Sequence, residues 1–117
     1  MQLRDIVSVL ACEVLSGRDR LGIEVESCFV ADLMSDVLAR APQGALLVTS
    51  LATPQMVHTA EVADLAAIVL VAGKRPGKDT TGFARQRRLP LLVTGLDMFE
   101  VRNRLDGQGL RVAVRKE

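Results

Sequence analysis

Residues 45–73 read "ALLVTSLATPQMVHTAEVADLAAIVLVAG". Two apolar runs, 45–48 and 67–71, flank a segment opened by a Thr-Pro pair. Thr53 has the hydroxyl of a helix cap, and Pro54 suits the first helical turn, where its missing N–H has no partner to lose. Short, continuously apolar runs mark strands buried on both faces. Strand, helix and strand in that order form a parallel crossover, because parallel neighbours cannot be joined by a tight turn.

The same rhythm continues downstream. "PLLVTG" at 90–95 is a third strand, with a helix over roughly 79–88 before it and "DMFEVRNRL" as a helix after it. Asp97 and Glu100 stand three apart at the start of that last helix, as in a capping box. Upstream, Leu3, Ile6, Val7 and Leu10 recur at the helical period, and "EVLSG" at 13–17 is a short extended piece. "EVESCFV" at 24–30 sets Val25, Ser27 and Phe29 against Glu24, Glu26 and Cys28, which predicts a strand with one apolar and one partly polar face. Asp32 is expected to cap a helix with Met34, Val37, Leu38 and Ala41 as its core stripe. "LRVAVRKE" at the end is a strand or a loose tail. The expectation is an α/β fold: one small domain over 1–117, with a mainly parallel or mixed sheet of four to five strands flanked by helices.

Composition agrees. A chain of 117 residues can bury enough surface to fold without metal or disulfide. It is 49% apolar with three Phe and no Trp or Tyr, so Val, Leu, Ala and Ile must build the core. No apolar run approaches the roughly 20 residues of a membrane span. "MQLRDIVSVL" lacks the apolar stretch and cleavage site of a signal peptide, and Cys12 and Cys28 sit in apolar surroundings as reduced thiols. Both features suit the cytoplasm. Charge is uneven: residues 1–72 hold four Lys/Arg and nine Asp/Glu, residues 73–117 hold eleven and five. Such asymmetry fits either solvated helix faces or a basic surface for an anionic ligand or acidic partner.

Residues 72–79 nearly match the phosphate-binding loop G-x-x-x-x-G-K-[ST], with strand, second glycine (Gly77) and lysine (Lys78) in place. The match fails where the chemistry lies. Ala72 replaces the first glycine, Asp79 replaces the hydroxyl that would ligate magnesium, and Pro76 removes a cradle N–H. Asp79 is better suited to cap the following helix. The strands ending in Thr49-Ser50 and Thr94-Gly95 supply no second acid for a metal.

A catalytic set is not legible. His58 is the single histidine and falls mid-helix, neither cysteine has metal spacing, and no Ser or Cys has a neighbouring base. No metal or cofactor is expected. "RQRR" at 85–88 could touch nucleic acid, but aromatic residues to stack on bases are lacking, so nucleic acid is disfavoured. In a parallel sheet the pairs Thr49-Ser50, Ala72-Gly73 and Thr94-Gly95 would gather on one edge, where α/β folds bind ligands. The candidate ligand-binding residues are therefore Thr49, Ser50, Gly73, Lys74, Arg75, Thr94 and Gly95, with tight turns as the competing explanation.

"ADLMSDVLARAPQGALLVTS", "IVLVAGKRP" and "LPLLVTGLDMFEV" together resemble the DRTGG domain family, in order and spacing. The chain is more distantly similar to the N-terminal domain of HPr kinase/phosphorylase, which accounts for the leading helix and "EVLSG". The signature is degenerate. Its Asp-Arg falls at Leu51-Ala52, its Thr-Gly-Gly at Val71-Ala72-Gly73, and the Thr of the third motif is Met98, while Asp97 and Phe99 are kept. The resemblance implies a regulatory or protein-interaction module rather than an enzyme, commonly dimeric and acting with a partner enzyme. The alternative is a sensor binding a nucleotide or another phosphorylated small molecule at the strand ends.

Overall fold

The continuously apolar runs become central strands. In a computed structural model, which describes residues 1–113, the order is α1 (Leu3–Leu10), β1 (Glu13–Ser16), a 3-10 turn (Arg18–Arg20), β2 (Ser27–Val30), α2 (Met34–Arg40), β3 (Leu46–Thr49), α3 (Pro54–Val62), β4 (Ala67–Leu70), α4 (Lys78–Gln86), β5 (Leu91–Val93), α5 (Met98–Gly107) and β6 (Arg111–Val112). The sheet has six strands in the order β1-β5-β4-β3-β2-β6. β2 to β6 are mutually parallel, and β1 is antiparallel to β5. The "EVLSG" element and the start of "LRVAVRKE" thus supply both edges of a sheet larger than expected. The remainder of that last segment lies outside the described residues.

Two cores sandwich the sheet. Phe29, Leu47, Ile68, Leu70, Leu91 and Val93 face α2, α3 and α4, while Cys28, Leu46, Val48, Val69 and Leu92 face α1 and α5. Alternate residues of each strand enter opposite cores, which is why these runs carry no polar positions. "EVESCFV" is corrected accordingly. Val25 and Cys28 join one core and Phe29 the other, because β2 lies inside the sheet between β3 and β6.

The helices at α2 and α4 begin differently from the expectation. Asp32 caps nothing: Leu33 is the residue before α2, and only Val37 of that short helix is buried. Met34 and Leu38, expected in the core stripe, face solvent, with Leu38 57% exposed and neighbouring Leu33 59%. Gly77, not Asp79, precedes α4, and the Asp79 carboxylate accepts from the backbone N–H of Thr80. α3 and α5 start as expected, with Thr53 accepting from the N–H of Met56 and Asp97 from that of Glu100.

Chain direction fixes where a ligand could sit. From β2 to β5 the chain steps one way across the sheet with α2, α3 and α4 on one face. It then returns through α5 on the other face to β6. A single crossover hand requires this change of face. The loops after β4 and β5 consequently leave toward opposite faces, and the switch point of the sheet falls between them.

Candidate functional site

The parallel registers of β3, β4 and β5 place Thr49, Ala72-Gly73 and Thr94 along one rim. At the switch point, Val71 to Lys74 make a tight turn closed by the Lys74 N–H on the Val71 carbonyl at 3.0 Å. Ala72 has φ 55° and Gly73 φ 68°. Two successive residues in the left-handed region, closed by that bond, are the signature of a type I′ turn, which glycine adopts without the Cβ clash that Ala72 suffers. The turn explains why a Gly-Gly pair suits this place. Its amides point across the crevice: the Ala72 N–H donates to the Leu96 carbonyl at 2.7 Å and that of Gly73 to the Thr94 carbonyl at 2.9 Å. The two loops are laced together.

The rim hydroxyls are engaged in the same way. Thr49 is buried, and its hydroxyl donates to Asp32 Oδ1 at 3.0 Å, while the Ser50 N–H donates to the same oxygen at 2.8 Å. Partial burial alone would raise the Asp32 carboxyl, but its bonds from Ser50 and Thr49 outweigh burial and hold it below the usual carboxylate range. Thr94 is buried too. Its hydroxyl donates to the Leu10 carbonyl at 2.6 Å and accepts from the Leu96 N–H at 3.2 Å. Gly73 and Gly95 are exposed, with open space where a side chain would stand.

The loop after β4 presents positive charge outward. Lys74, Arg75 and Lys78 are exposed. Arg75 grips Glu13 through two bonds, 2.7 and 3.3 Å, and so spans the end of β5 to reach β1. The hydrogen bond and charge of Arg75 hold the Glu13 carboxyl below its ordinary range, and Glu13 in turn raises Arg75. Both side chains are more than half exposed, so the pair fixes the loop only weakly. Of the seven candidates, Thr49 and Thr94 are turned inward, Ser50 is half-buried with its N–H on Asp32, and Lys74 and Arg75 stand over the rim. Asp32 and Glu13 were missed because one looked like a helix cap and the other lay in an edge strand far away in sequence.

Groups with catalytic potential lie elsewhere. His58 is exposed, 3.8 Å from Glu61. Burial pushes the Cys12 thiol up to about 12 and, with smaller effects from Arg102 and Asp106, the Cys28 thiol up to about 11. Both are protonated and poor nucleophiles at neutral pH. Among the described residues, no group of three or more His, Cys, Asp or Glu could hold a metal ion, and no helix is long and apolar enough to cross a membrane. Leu51 and Ala52, at the positions of the signature Asp-Arg, pack against the core beside α3 and α4 instead of presenting polar groups.

Comparison with known proteins agrees with this architecture. The family model described as "DRTGG domain" matches residues 5–107. No curated protein matches. Among solved structures, the chain superposes on the CBS and DRTGG domains of the regulatory region of Clostridium perfringens pyrophosphatase, crystallised with its activator diadenosine tetraphosphate. The TM-score is 0.74 at 16% identity, over 99% of this chain and 51% of that one. Our chain therefore spans about half the length of that neighbour, and the likeness at this identity is one of fold. With the model matched from α1 to the end of α5, the chain belongs to the DRTGG domain family.

Proposed function

We propose that the chain is a non-catalytic regulatory module of the cytoplasm, a homodimer that acts with a partner enzyme. The observation that carries this reading is the rim that binds itself. The hydroxyls of Thr49 and Thr94 and the amides of Ala72 and Gly73 all have internal partners, so the rim offers few groups to a reacting substrate. Meanwhile Leu33, just before α2, and Met34 and Leu38 on that helix are exposed beside a hollow lined by Met34, Pro54 and Phe83 together with Gln55, His58 and Thr59. Exposed apolar groups of this kind favour association. The charges nearby are matched within the chain, Arg40 with Asp36 and Arg87 with Glu61, which lets two copies face each other without like-charge repulsion. The distant likeness to the N-terminal domain of HPr kinase/phosphorylase belongs to the same reading. Sedimentation velocity tests it: a dimer that Leu38→Asp converts to monomer supports the module, and a strict monomer counts against it.

The second reading, a sensor of phosphorylated small molecules, draws on Lys74, Arg75 and Lys78 at the switch point. Glu13 is held there by an exposed pair that an anion could replace. Nucleotides with several phosphates are the ligands to test, since the structural neighbour was crystallised with diadenosine tetraphosphate. Stabilisation of the chain on heating with such a nucleotide, lost in Lys74→Ala/Arg75→Ala, would favour this reading over simple association.

A further inference from the structure

The 3-10 turn and the end of α4 are 68 residues apart in sequence and side by side in space, with Arg20 donating to the Arg88 carbonyl at 3.0 Å. Gly17, which leads into the turn, lies so close to Pro90 that a Cβ would stand 2.7 Å from the Pro90 Cα. Arg88 reaches back to Asp19 at 3.0 Å. On the same edge, Arg18 donates to the Val14 carbonyl at 3.3 Å and Arg85 to the Leu15 carbonyl at 3.2 Å. Four arginines, Arg18, Arg20, Arg85 and Arg88, thus surround edge strand β1, at the end of the sheet opposite the rim.

We propose that this arginine cluster is a docking site for an acidic segment of a partner protein. The proposal rests on the reading of the chain as an interaction module and names the chemistry of the partner. Each of the four guanidinium groups is oriented by a bond to a backbone carbonyl or to Asp19, and three of the residues are exposed. A planar fork held in place is suited to carboxylates, because little side-chain freedom remains to be lost on binding. Addition of a strand to β1 is disfavoured, since Arg18 and Arg85 already occupy the carbonyls of Val14 and Leu15. Recognition must then pass through side-chain charge. Asp19 in the middle of the cluster argues against nucleic acid. A duplex carries a phosphate charge every ~1.7 Å of axis and cannot avoid a fixed carboxylate, whereas a peptide can set a neutral residue opposite it.

The test is fluorescence anisotropy of the full chain with a labelled oligoglutamate peptide, run beside a DNA duplex at low and physiological salt. Arg18→Gln/Arg88→Gln removes two charges from the cluster, and Lys74→Gln/Lys78→Gln removes two from the rim. The expected result is peptide binding weakened about fivefold by the first pair, with the second pair changing it by less than about twofold. No binding at low salt, equal loss in both variants, or tighter binding of the duplex would overturn the proposal. If the double variant is unfolded, Arg18→Gln alone carries the comparison, because Arg18 makes a single bond at the surface. None of these outcomes changes the dimer measured by sedimentation, so failure of the docking site is distinguishable from failure of the module.

Discussion

The hydroxyl of Thr94 donates to the carbonyl of Leu10 across 2.6 Å, tying the end of β5 to the end of α1 in a buried setting. The same oxygen accepts from the Leu96 N–H. Thr94→Val keeps the shape and strands both backbone partners, so it should cost about 1–3 kcal/mol in urea unfolding. Thr94→Ser, which keeps the hydroxyl, should lose less than about 1 kcal/mol. Equal losses would show that the methyl, not the bond, matters.

Ala72 occupies the left-handed region beside Gly73. Relief of the Cβ clash outweighs the extra freedom glycine gives the unfolded chain, so Ala72→Gly should raise stability by about 0.5–1 kcal/mol. A loss of stability would contradict the turn assignment.

Gly17 has φ 87° and the backbone of Pro90 against it. Gly17→Ala meets both strain and overlap, and should cost about 2–4 kcal/mol in the same assay. A neutral substitution would place the 3-10 turn elsewhere.

The pH response of Asp32 has a definite sign. Its carboxyl is held below its ordinary value of 3.8 in the folded chain, so the unfolded chain takes up the proton first as pH falls. Its stabilising effect is complete above that value and fades as pH drops through the folded one. The stability gap between the wild type and Asp32→Ala should be greatest near neutrality and narrow progressively as the pH falls below about 4. A gap independent of pH would mean that the carboxylate charge plays no part.

The four central strands, the shared direction of β3, β4 and β5, and the starts of α3 and α5 were legible because periodicity and capping are local. Thr53-Pro54 and Asp97 behave as their chemistry dictates. What escaped was non-local. Asp32 looks like a cap until β3 brings Thr49 and Ser50 to it, and Glu13 has no visible role until β1 lies beside β5. Met34 and Leu38 satisfy the helical stripe, yet α2 is seven residues long and buries only Val37. The uneven charge also resolves in three dimensions, where Arg75, Arg87 and Arg88 of the basic part pair with Glu13, Glu61 and Asp19 of the acidic part. No sequence window contains those pairs.

The central claim is that a chain whose rim is closed on itself works by association. Sedimentation velocity of the wild type beside Leu38→Asp examines it most directly. The account predicts a species of twice the chain mass at micromolar concentration, and a folded monomer for the variant. A wild type that stays monomeric at every concentration, or a variant that dimerises as well as the wild type, would contradict it.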